Sequence, residues 1–142
     1  MKKIIKLIMF FGLISSSFAE NNNFFNEAKM LFEKKKYEDS KFLFQRNIVY
    51  NPKDAKSYLY LAKIFIIEEN KTEQEKNINT TLLLDPRNEE AMYILIDIEL
   101  KRSNFSKAKE LKKDFDIICS KMCEKLDSIN RRLKEFEKKD AS

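Results

Sequence analysis

Apolar and polar residues alternate along this chain in blocks that read as helices broken by short charged turns. Polar residues cluster at Lys34-Lys35-Lys36, from Glu68 to Thr72 and from Arg102 to Asn104. Two prolines, in Asn51-Pro52 and Asp85-Pro86, each close an apolar helical stretch and occupy equivalent places in successive blocks. A fixed period of this kind marks stacked supersecondary units, each too small to bury its apolar face alone. After Cys123, apolar residues fall at Leu126, Ile129, Leu133 and Phe136 among Lys125, Arg131, Arg132, Lys134, Lys138 and Lys139. That spacing predicts one amphipathic helix with a narrow apolar stripe, suited to covering the last unit. A dimerising coiled coil and attachment to a membrane surface are rival uses of the stripe.

The N-terminal segment follows a different pattern. Lys2, Lys3 and Lys6 precede an apolar run from Leu7 to Ile14, and Ser17-Phe18-Ala19 supplies small residues before Glu20. These are the three parts of a secretory signal. The run is too short to span about 30 Å of hydrocarbon, which takes roughly 20 residues. Residues 1–19 are therefore expected to be cleaved, leaving a periplasmic chain with no stable membrane insertion. No cysteine near the cut invites a lipid anchor.

Taking each proline as position 32, the units run over 21–54, 55–88 and 89–122. This register resembles the tetratricopeptide repeat, a helix–turn–helix hairpin of about 34 residues. The matches are Phe24 and Tyr58 at position 4, Leu61 and Leu95 at 7, and Ala28 and Ala62 at 8. They continue with Leu31 and Phe65 at 11, Tyr37 and Phe105 at 17, Ser40 and Ala108 at 20, and Phe44 and Ile78 at 24. Glu27, Gln74, Thr81, Ile96 and Glu99 depart from the pattern, and Met92 fits it loosely. The likeness covers 21 to about 118. It implies an all-α fold: a short α-α superhelix of about three hairpins over 20–123, with a capping helix and tail over 124–142. Ala28 and Ser40 are expected to meet where the first pair of helices crosses, and Gln74 to turn away from Ala62.

The resemblance also implies a concave groove lined by the first helix of each hairpin. Its inner positions fall on Phe25, Leu59 and Tyr93, on Lys29, Lys63 and Asp97, and on Phe32, Ile66 and Leu100. An apolar ladder beside two lysines suits a peptide of acidic character. The lysine and asparagine clamp of chaperone-tail binders is absent, because those positions hold Phe25, Lys29, Glu90 and Ile94.

Composition narrows the function classes. Of 142 residues 43% are apolar, 12 are Phe, two are proline, and the one glycine, Gly12, lies in the export segment. So few turn formers disfavour a many-turned β fold. The formal charge of +5 loses three lysines with residues 1–19, leaving 25 basic against 23 acidic residues, a net of +2. Such a balanced chain has no electrostatic reason to bind nucleic acid. With no histidine there is no general base near neutral pH, and without glycine no loop can cradle phosphate. The acidic pair Glu89-Glu90 suits a helix start. The reading is a monomeric, non-catalytic protein-binding scaffold without cofactor, or alternatively a structural subunit of an envelope complex that uses its outer face.

Two cysteines remain, Cys119 and Cys123. In an exported chain an even pair reads first as a disulfide, here across a turn between helices. The segment Cys119-Ser-Lys-Met-Cys123 also looks like a cysteine-bracketed turn of some exported proteobacterial tetratricopeptide proteins. A redox pair and two free thiols stay open as rivals. A metal site would need further ligands, which a chain without histidine or a third cysteine is not expected to supply.

Overall fold

The computed structural model describes residues 24–140, and the expected export segment lies outside them. Among the described residues seven helices follow one another: α1 Phe24–Glu33, α2 Tyr37–Tyr50, α3 Ala55–Ile67, α4 Lys71–Leu84, α5 Glu89–Lys101, α6 Phe105–Ile118 and α7 Lys125–Asp140. Successive helices pack in pairs, and α7 lies against both α5 and α6. The first helices end at Glu33, Ile67 and Lys101, and the second at Tyr50, Leu84 and Ile118. Each set advances by the same interval that separates the two prolines, so the hairpins are equivalent, adjacent units.

The turn inside each hairpin is one motif used three times. Lys35, Glu69 and Ser103 hold positive φ angles of 59°, 57° and 61°. The next residue then donates its N–H back across the turn: Lys36 to Leu31, Asn70 to Phe65 and Asn104 to Glu99, each at 2.9 Å. These bonds satisfy carbonyls that the ending helix leaves open. No glycine fills the left-handed position, so each turn carries a steric cost.

The outer turns stop the second helices differently. α2 and α4 end two residues before Pro52 and Pro86, and the intervening Asn51 and Asp85 leave the helical region at ψ 76° and 84°. The proline ring excludes the helical conformation for its predecessor. In the third unit Cys119 takes that place. Its disulfide to Cys123, with a Cα separation of 5.2 Å, makes the turn into α7.

Packing inside the hairpins follows the small residues. Ala28 and Ser40 are fully buried, and the Ser40 hydroxyl donates to the Ala28 carbonyl at 2.8 Å. Ala62 is likewise buried while Gln74 stays half-buried. In the third unit Ile96 fits because Ala108 is the small partner, and both are fully buried. Glu99 breaks the apolar pattern but accepts a 2.7 Å bond from the Asn104 amide, which answers its burial. Neighbouring units are also joined by charge. Lys41 meets Glu68 at 2.6 Å, and Glu75 takes Arg102 in a two-bond fork.

Candidate functional site

The first helices α1, α3 and α5, followed by α7, form a row in which each member touches the next through side chains. Phe25 and Phe32 of α1 meet the Tyr60 ring of α3 edge-on, at 5.9 and 5.2 Å, and Tyr60 stacks on Phe44 at 5.0 Å. Aromatic pairs at such distances add to the stabilisation that burial alone gives. The Lys63 ammonium lies 4.9 Å from the Tyr60 ring centre and 5.6 Å from that of Phe32. It also pairs with Glu90 of α5 at 2.8 Å. One cation thus bridges α1, α3 and α5.

Further along the row, α7 occupies the surface. Asp97 of α5 accepts from Arg132 of α7 and from Lys101, both at 2.7 Å. Burial alone would raise the Asp97 pKa, but hydrogen bonds from Lys101 and Arg132 outweigh it and hold the carboxyl below its usual range. Ile129 and Leu133 of α7 are buried in one cluster with Met92, Ile96 and Leu100. Phe105 and Phe136 stack at 4.3 Å.

The nine residues expected along the groove therefore separate. Phe25 and Phe32 are half-buried at the α1–α3 junction, Lys63 lies across it, and Ile66 is 41% exposed beside it. Lys29 is exposed and sits 3.7 Å from Glu33. Tyr93 is half-buried, with Lys125 at 6.0 Å over its ring, and Asp97 is bound to α7. Two expectations need correction. Leu59, 7% exposed, packs with Ala62, Ile78 and Ala91, and Leu100, 1% exposed, lies in the cluster that α7 closes. Leu59 is covered by α4 and α5 and Leu100 by α7, so neither lines an open surface. The open part of the row is the α1–α3 half, with Ile67, 47% exposed, next to Ile66.

Position-by-position reasoning missed Tyr60, which touches three other rings of that half. It also took Glu89 and Glu90 for simple helix-start acids. Glu90 holds Lys63, and Glu89 holds the disulfide turn. A sequence signal existed for the charged contacts. Lys41–Glu68, Lys63–Glu90 and Glu75–Arg102 are opposite charges at one constant separation, one unit forward and two helical turns back.

Neither a family model nor a curated protein sequence matches the chain. Solved structures do match in shape. The Sgt2 TPR domain from Aspergillus fumigatus gives a TM-score of 0.68 at 14% identity, covering 84% of this chain and 83% of that one. The TPR2B domain of yeast Sti1, solved in a complex with pHsp70, gives 0.69 at 16% identity, covering 82% and 95%. The Yersinia enterocolitica type III secretion translocator chaperone SycD gives 0.70 at 16% identity, covering 92% and 90%. These likenesses establish a helical-repeat fold of the tetratricopeptide type.

Proposed function

We propose that this tetratricopeptide-fold chain is a non-catalytic scaffold that holds an extended or helical segment of another protein on the inner surface of α1 and α3. One observation carries the reading. Lys63 is fixed over two aromatic rings while Ile66 and Ile67 stay exposed beside it. A cation anchored by Glu90 and ring faces is preorganised, so a ligand carboxylate need not order it. The exposed isoleucines supply apolar contact along the same strip. The Sti1 domain, whose structure contains pHsp70, and SycD, described as a chaperone, lend support by shared fold.

The three-part segment over residues 1–19 supports the periplasm as the compartment of this activity. Mass spectrometry of the protein recovered from its own cells is expected to find Glu20 at the N-terminus, and an intact Met1 would refute export with cleavage. For the binding site, a photoreactive amino acid at Ile66 is expected to trap a partner polypeptide in cell envelopes. The same group at Gln45, on an exposed position of α2, is expected to trap none. Equal trapping at both positions, or trapping at Ile66 that survives Lys63→Glu unchanged, refutes the groove.

A further inference from the structure

Three asparagines of the chain begin the pattern Asn-x-Ser/Thr: Asn70-Lys71-Thr72, Asn79-Thr80-Thr81 and Asn104-Phe105-Ser106. In an exported protein that pattern is an acceptor signal for an N-linked glycan. The fold treats the three differently. Thr81 is fully buried and its hydroxyl donates to the Asn77 carbonyl at 2.8 Å, so the second signal is closed within α4. The Asn104 amide nitrogen donates to Glu99 at 2.7 Å, and a sugar there would disturb the bond that answers the burial of Glu99. Asn70, Lys71 and Thr72 are all exposed, at the turn between α3 and α4. Asn70 caps α4 through its oxygen, which accepts from the Glu73 N–H at 3.2 Å. Among the described residues its amide nitrogen, the atom that carries an N-linked sugar, donates to no group.

We infer that Asn70 is the acceptor of an N-linked oligosaccharide, transferred from a lipid-diphosphate donor on the exported side of the membrane. In that step the Asn70 Nδ2 forms a bond to the anomeric carbon of the first sugar. The bond from that carbon to the diphosphate oxygen breaks, and the lipid diphosphate leaves with the electron pair. The amide gives one proton to a base of the transferase. Asn70 Oδ1 takes no part, so the cap of α4 survives the modification. Charge singles out the same asparagine. Glu68 stands two residues before Asn70 and offers the carboxylate by which bacterial oligosaccharyltransferases extend the three-residue signal, whereas Asn79 and Asn104 have Asn77 and Arg102 there. In the folded protein Glu68 pairs with Lys41 at 2.6 Å, and Thr72 lies in the first turn of α4. Transfer therefore belongs to the chain as it emerges from export, before these contacts form. The folded product carries the sugar on an exposed turn, where it displaces no hydrogen bond of the described residues. The inference rests on the export reading of residues 1–19.

Peptide mass spectrometry of the protein recovered from its own cells is expected to find an oligosaccharide on Asn70, with Asn79 and Asn104 bare. A bare Asn70 in mature protein that begins at Glu20 overturns the inference and leaves export standing, while an intact Met1 overturns both. A second arm places the full chain in a bacterial host supplied with a single-subunit oligosaccharyltransferase and a lipid-linked oligosaccharide. Asn70→Gln and Thr72→Val are each expected to abolish the modification, and Asn104→Gln to leave it unchanged. Glu68→Gln is expected to lower it at least tenfold. Native helical circular dichroism of Thr72→Val separates a lost signal from a lost fold. Modification that persists in Thr72→Val, stays at full level in Glu68→Gln or lies on Asn104 instead overturns the inference as well.

Discussion

Glu89, the first residue of α5, takes a hydrogen bond from the Ser120 hydroxyl at 2.7 Å, joining the start of one helix to the turn that follows the next. The same carboxylate accepts from the backbone N–H groups of Lys121 at 2.9 Å and Met122 at 2.8 Å. A side chain at a helix start thereby fixes the disulfide turn that launches α7.

The pH dependence of that contact follows from its donors. The Ser120 hydroxyl first, then backbone N–H groups of the turn, hold the Glu89 carboxyl down to about 2 from an ordinary 4.5. A depressed carboxyl stabilises the fold above its unfolded pKa and loses that contribution as pH falls. The turn is therefore expected to loosen between about pH 4.5 and 2. Titration of the Glu89 carboxyl by nuclear magnetic resonance checks this, and a midpoint near 4.5 would contradict it. Glu89→Gln should remove the pH dependence of the protection of the Met122 amide against hydrogen exchange, measured relative to its intrinsic rate.

The disulfide stands where the other two units have proline turns. Replacing Cys119 and Cys123 by serine is expected to cost about 2 kcal/mol, since the closed loop is short. In protein isolated from cells, neither thiol should react with an alkylating agent until a reductant is added. Denaturant unfolding and mass spectrometry read the two effects separately.

Three left-handed turn residues without glycine leave stability unused. Glu69→Gly is expected to stabilise the protein by about 1 kcal/mol, and Lys35→Gly and Ser103→Gly by similar amounts. The turns belong to different units, so the gains should add. A loss of stability at any of them would show that the side chain matters more than the backbone.

The charged pairs at the two junctions match the order of the units that the chain sets. Lys41 opposes Glu68 at the first junction, whereas the equivalent pair at the second, Glu75 and Arg102, is reversed in sign. Stacking the first unit directly on the third would face Lys41 with Arg102. Lys41→Glu is expected to cost about 1 kcal/mol, and adding Glu68→Lys should restore most of it. A double-mutant cycle measures the coupling, and a value of zero refutes the role.

α7 closes the apolar end of the array with Ile129, 1% exposed. Ile129→Ala is expected to cost about 3 kcal/mol, by lost transfer energy and the cavity left behind. Chemical denaturation gives the number. Less than about 1 kcal/mol would mean that α7 covers the third unit only loosely.

Much of this architecture can be read without coordinates. The matched prolines Pro52 and Pro86, polar clusters at the turns and small residues at Ala28, Ser40, Ala62 and Ala108 specify hairpins in register, because each signal acts within one unit. The amphipathic stripe of α7 and a bridged turn at Cys119 and Cys123 are local features of the same kind. The fate of each helix face was settled elsewhere. Leu59 and Ile66 belong to one helix of good apolar periodicity, yet one is buried and the other open. Leu100 is closed because Ile129 and Leu133 arrive from a helix two elements further along the chain. Tyr60 gathers rings from α1 and α2, and Glu89 and Glu90, neighbours in sequence, reach opposite partners. Spacing along a chain tells which side chains share a face. Only the stacking of units decides what covers that face, because coverage is a relation between distant segments.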